Sequence, residues 1–101
     1  MKKIINGKLF DTETANVVCE IFENAVNDFR HIDCALYCTP RSKQFFLAGS
    51  GGPMTIFSRR DGSGITGGEG LVPISEDNAR RYAEKYASVE TIKKFFTVEE
   101  A

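Results

Sequence analysis

Three cysteines and one histidine are the residues of this chain best suited to soft-metal or nucleophilic chemistry. Three of the four fall in one stretch, His31-x2-Cys34-x3-Cys38, with Cys19 upstream. Thiolates and imidazole are ligands a tetrahedral zinc accepts. If Cys34 to Cys38 is extended, however, four rises of ~3.4 Å hold their backbones ~13 Å apart, whereas two ligands of one zinc lie about 4 Å apart. The expectation is therefore no metal and no cofactor, with the cysteines acting as small buried hydrophobes. Nucleophilic catalysis would need Cys34 or Cys38 activated by His31 and oriented by an acid such as Asp33. Known cysteine–histidine pairs are assembled from distant segments, so closeness in sequence adds little. Nor does anything select two of the fourteen acids as a glycosidase-like pair. No catalytic residue is assigned, and the chain is read as a non-enzyme.

Eight of the nine glycines lie between Gly49 and Gly70. Glycine-rich loops can cradle phosphate with their backbone N–H groups. A phosphate loop ends in Gly-Lys-Ser/Thr at a helix start, whereas Gly62-Ser-Gly-Ile-Thr-Gly-Gly-Glu-Gly70 has no lysine and sets Glu69 among the amides. The glycines are read instead as turns between strands, at Gly49-Ser-Gly-Gly-Pro53 and Asp61-Gly-Ser-Gly64, that need positive φ. Exposed charge on the connection at 59–70 makes Arg59, Arg60, Asp61 and Glu69 candidate partner-binding residues. A second reading takes Arg41, Lys43, Arg59 and Arg60 as a basic rim for nucleic acid, with Tyr37 or Phe45 to stack bases.

Bulk charge favours neither polyanions nor anionic membranes, because thirteen Lys and Arg meet fourteen Asp and Glu for a net charge of −1. No apolar run approaches the ~20 residues a membrane span needs. Met1-Lys2-Lys3-Ile4-Ile5 reaches Asn6-Gly7 too soon for a signal peptide, which with the odd cysteine count points to the reducing cytoplasm. At 101 residues the chain is expected to form one domain over 1–101 with a flexible glycine-rich loop at 59–70.

The elements that must position these residues follow from local pattern. Asn6-Gly7 between short apolar stretches predicts a small hairpin. Val18, Ile21, Phe22, Ala25, Val26 and Phe29 recur at helical spacing and predict an N-terminal helix ending near a partly exposed His31. The rival reading is one helical turn at Thr12–Ala15 followed by a strand over Val17–Phe22, where β-branched residues cluster. Residues 35–48 predict a hairpin turning at Thr39–Ser42, with Phe45 and Phe46 demanding cover on both faces. Met54–Ser58 is read as a third strand, and Leu71–Ser75 as a last one that Pro73 confines to an edge. Ser75 then caps a helix that buries Ala79, Tyr82, Ala83, Tyr86 and Ala87, and Ser88 caps a second. The fold expected is α+β: a small antiparallel sheet of three to five strands packed with an N-terminal helix and C-terminal helices.

Taken end to end, the chain resembles a family of small, mostly uncharacterised proteins carried on phages, plasmids and integrated mobile elements of Gram-positive bacteria. The resemblance runs through Asn6-Gly-Lys-Leu-Phe-Asp-Thr-Glu-Thr-Ala15, Leu36-Tyr37, Phe45-Phe-Leu-Ala-Gly-Ser-Gly-Gly-Pro-Met54 and Gly67-Gly-Glu-Gly-Leu-Val-Pro-Ile-Ser-Glu76. It departs at Val17–Phe29 and after Ser58. The resemblance implies a binder of the anti-CRISPR kind, an inhibitor of a host defence effector such as a CRISPR-associated complex. The alternative it leaves is a small nucleic-acid-binding accessory regulator of a mobile element.

Overall fold

The computed structural model describes residues 1–101. Its elements are β1 (Lys2–Ile5), β2 (Lys8–Asp11), β3 (Asn16–Glu23), β4 (Ile32–Cys38), β5 (Phe45–Gly51), β6 (Arg59–Asp61), β7 (Gly64–Thr66), β8 (Gly68–Ile74), α1 (Glu76–Tyr86) and α2 (Val89–Phe95). The centre is a four-stranded antiparallel sheet in the order β3-β4-β5-β8, accompanied by the hairpins β1-β2 and β6-β7. No helix is long and apolar enough to cross a membrane.

Alternation along the strands gives each face of this sheet its own core. Cys19, Ile21, Cys34, Leu36, Cys38, Phe45 and Leu47 point to one face and pack with Ala79 and Ala83 of α1 and with Phe96. The two alanines are fully buried, so α1 approaches the sheet closely. Phe96, just past α2, stacks on Phe45 with ring centroids 5.0 Å apart. On the opposite face Phe46, Ala48 and Leu71 pack with Phe10 of the N-terminal hairpin. Tyr37 stacks on Phe46 at 5.1 Å, and Phe10 meets it edge-on at 5.5 Å. The adjacent Phe45 and Phe46 are thus buried on opposite sides of β5, as two-sided cover requires.

Local chemistry sets the ends of the elements. Asn6 (φ 52°) and Gly7 (φ 78°) make the tight turn of β1-β2. Thr39 closes the β4–β5 turn, its N–H donating to the Gln44 carbonyl and its hydroxyl accepting from the Gln44 N–H. Ser75 accepts from the Asn78 N–H and Ser88 from the Thr91 N–H, the two expected caps.

Two expectations are corrected. There is no N-terminal helix: residues 16–23 form the edge strand β3, as the rival reading had it. Pairing with β4 decides this, since Cys19 and Ile21 are buried at alternate positions and Val18 joins them through a bulge between Val17 and Cys19. The helical spacing is a coincidence of that bulge with a turn, and Asn24 at φ 64° breaks any continuation. Met54–Ser58 is not a strand either. It folds into consecutive turns closed by Thr55 N–H to Gly52 carbonyl and Ser58 N–H to Thr55 carbonyl bonds, and it sends only Phe57 inward.

Candidate functional site

The chain between β3 and β4 carries Asn24, Asn27 and Asp28, residues whose side chains bond nearby backbone. They do so here. The Asn24 side-chain amide donates to the Arg30 carbonyl at 3.0 Å, and the Arg30 N–H donates to Asp28 Oδ1 at 2.7 Å. The backbone N–H of Arg30, and then its guanidinium, hold the Asp28 carboxyl below its ordinary range. His31 turns its Nδ1 to the Asn24 carbonyl at 3.2 Å, so the histidine precedes β4 rather than closing a helix.

This loop is bonded to the one that follows β5. The Gly52 N–H donates to the His31 carbonyl at 2.8 Å and the Met54 N–H to the Phe29 carbonyl at 2.9 Å. The approach admits no side chain at Gly52, where a Cβ would stand 2.5 Å from the Phe29 carbonyl oxygen. With their polar groups engaged in this way, the two loops present Val26 at 78% exposure and Phe29 and Met54 at 67% each. Phe29 and Met54 share a surface depression with Asp28 and Arg30. Phe22, 58% exposed, extends the apolar surface along β3 and meets the His31 ring edge-on at 5.2 Å.

The β6-β7 hairpin stands at the same end of the sheet. Gly62 (φ 64°) takes the first central position of its two-residue turn, the place a type II′ turn reserves for glycine. Residues 59–70, expected as a connection, therefore hold this hairpin and the start of β8. Arg59 donates from Nη2 to the backbone carbonyl of Glu69 at 2.9 Å, which brings two of the four predicted partner-binding residues together. Arg60 and Asp61 are exposed beside them. The glycines here serve close packing more than positive φ: a Cβ on Gly67 would lie 2.6 Å from the Gly51 carbonyl oxygen.

The predicted basic rim is divided. Arg41 and Lys43 sit in the β4–β5 turn beyond the Cys38–Phe45 pair, while Arg59 and Arg60 sit beyond Ile32–Gly51. Six residue rises separate those two ends, about 20 Å. Lys43 instead lines a groove with Asn16, Thr91 and Lys94.

Comparison with protein-family models, with curated proteins and with solved structures finds no match to the chain. The chemistry of the site therefore rests on the residues themselves.

All three cysteines are free and buried. Cys34 and Cys38 lie four residues apart in β4, and no group of three or more His, Cys, Asp or Glu side chains converges on a point. Burial, with the nearby Asp33 carboxylate second, pushes the Cys34 thiol up to about 12, and burial raises Cys19 and Cys38 as well. A thiol so placed carries less thiolate, the nucleophilic form, at neutral pH than an ordinary cysteine. Every buried side-chain nitrogen or oxygen has a hydrogen-bond partner.

The apolar members of this surface were missed because Phe22, Val26 and Phe29 fit the buried stripe of a helix and Met54 the run of a strand. A signal was present in Asn24, Asn27 and Asp28, turn formers that argue against a helix crossing them.

Proposed function

We propose that this chain is a non-catalytic interaction protein that inhibits a host defence effector of the anti-CRISPR-target kind by binding it directly in the cytoplasm. The observation that supports the reading is the loop end of the sheet. Val26, Phe29 and Met54 are held in solvent by loops whose backbones are bonded to each other, with Asp28 and Arg30 in the depression that Phe29 and Met54 share and the exposed strand Arg59–Asp61 at the same end of the sheet. Large apolar groups exposed beside charged ones are the composition of a binding surface. Because the loops are cross-bonded, little ordering entropy is lost when a partner docks. The identity of the partner class comes from the resemblance to small proteins of mobile elements, whose hosts carry nucleic-acid-targeting defences.

The test is a cleavage assay with effectors of several CRISPR types, titrated with the purified chain and paired with a pull-down on each effector. Stoichiometric inhibition and retention of one type is the expected result. Neither inhibition nor retention with any type removes the reading.

A further inference from the structure

The four-stranded sheet has two edges, and they are not alike. On β8, Pro73 has no N–H to offer and the Arg59 guanidinium occupies the Glu69 carbonyl, two devices that discourage an added strand. On β3 the bulge disturbs the start, but from Cys19 to Glu23 the register with β4 is unbroken. No backbone bond outside that pairing is made by residues 16–23. An uninterrupted strand run with a free outer edge is the template that β-augmentation uses.

Charge decides what fits it. On the face opposite the helices Glu20 lies in the open and Asp33 is its diagonal neighbour across β4, and neither forms an ion pair. Phe22 stands beside them, 58% exposed. On the helix face Glu23 is already engaged by Lys85. A second copy adding its own β3 in antiparallel fashion would set acidic faces side by side, which cross-strand pairing disfavours. We propose that Cys19–Glu23 of β3 receives an extended segment of a partner protein that carries Lys or Arg on the side facing Glu20 and Asp33 and an apolar residue against Phe22. This rests on the interaction reading above and names the partner chemistry for a second part of its surface, continuous with the loop end through Phe22.

The probe is a ten-residue peptide whose residues on one face alternate lysine and valine, with threonine at every other position, compared with a counterpart carrying glutamate in place of each lysine and with a copy N-methylated throughout. The native chain is followed by amide shifts and hydrogen exchange. At a peptide concentration ten times its Kd, exchange at residues 19–23 slows about tenfold. The glutamate and N-methylated peptides give no protection. Glu20→Lys moves the preference to the glutamate peptide, and Glu20→Gln, isosteric and neutral, abolishes it. Protection at β8, equal capture of both charged peptides, no protection at all, or sedimentation showing a dimer formed through β3 each overturns the proposal. Effector inhibition that survives Glu20→Lys removes the edge while leaving the inhibitor reading in place. Peptide capture without inhibition of any effector does the reverse.

Discussion

The ammonium of Lys85 donates to Oε2 of Glu23 across 2.8 Å, joining residues 62 apart in the chain. Tyr86 donates its hydroxyl to the same oxygen. The last turn of α1 is thereby fixed to the end of β3, next to the loop that carries Val26 and Phe29. The hydrogen bonds from Lys85 and then Tyr86 lower the Glu23 pKa from 4.5. The bond to Glu23 raises Lys85 from 10.5. Tyr86 is raised from 10.0, first by burial and then by the Glu23 bond. A lowered acid stabilises the fold above its ordinary value and loses that stability as pH falls through the lowered one, whereas raised groups contribute below their ordinary values and lose it as pH climbs. Thermal melts should accordingly hold a plateau between these limits and fall on both sides. Glu23→Gln should flatten the acid limb, and an unchanged pH profile would count against the contact. Tyr86→Phe should cost about 1 kcal/mol.

The cysteines offer a second alkaline effect. Cys34 titrates at about 12 against an ordinary 9.0, so at a given pH below both values its thiolate fraction is about a thousandfold smaller than in the unfolded chain. Alkylation in the native state should be slower by about that factor at Cys34, with Cys19 and Cys38 also slowed. Because the folded value is the raised one, full stability is present below 9.0 and is lost as pH rises toward the folded value. Iodoacetamide labelling followed by mass spectrometry, with and without denaturant, measures the first effect. A native thiol that labels as fast as the denatured one would favour the nucleophile reading.

Packing around the glycines can be separated from backbone freedom by paired substitutions. Gly52→Ala would force its Cβ against the Phe29 carbonyl and should destabilise the fold by about 1–3 kcal/mol, loosening the two cross-bonded loops. Gly70→Ala meets nothing within 4 Å and should be neutral or stabilising by about 0.4–1 kcal/mol. Urea unfolding of the two variants beside the parent decides it. Equal effects would mean that flexibility, not close approach, selected glycine here.

Much of the scaffold was legible because its signals are local. Asn6-Gly7 needs positive φ, Ser75 and Ser88 are caps, Pro73 marks an edge, and the doublet Phe45-Phe46 needs cover on both sides. The segment from Val17 to Phe29 was not, because its apolar spacing satisfies a helix and a bulged strand followed by a turn equally well. Only the partner strand β4 breaks the tie, and pairing across the sheet is a tertiary fact. The same limit governs the candidate surface. Exposed charge at Arg59, Arg60 and Asp61 could be anticipated from turn-rich sequence, but exposure of Val26, Phe29 and Met54 depends on which faces the folded sheet leaves uncovered. The division of Arg41 and Lys43 from Arg59 and Arg60 likewise follows from strand length and register rather than from composition.

That surface yields the sharpest separation of folding from function. Phe29 and Met54 are each 67% exposed, so truncating them removes little buried area and should shift stability by no more than about 0.5 kcal/mol. If the loop end docks an effector, the same side chains act as apolar anchors, and losing an anchor costs about 2 kcal/mol or more of binding. Phe29→Ser with Met54→Ser should therefore leave the melting curve nearly unchanged and weaken effector binding at least about thirtyfold. Arg60→Ala, a charged group at the margin, should alter the salt dependence of association more than the affinity. Calorimetric melts and binding titrations on the same preparations measure both quantities. Loss of stability without loss of binding would assign these residues to the fold, and loss of neither would move the docking surface elsewhere on the molecule.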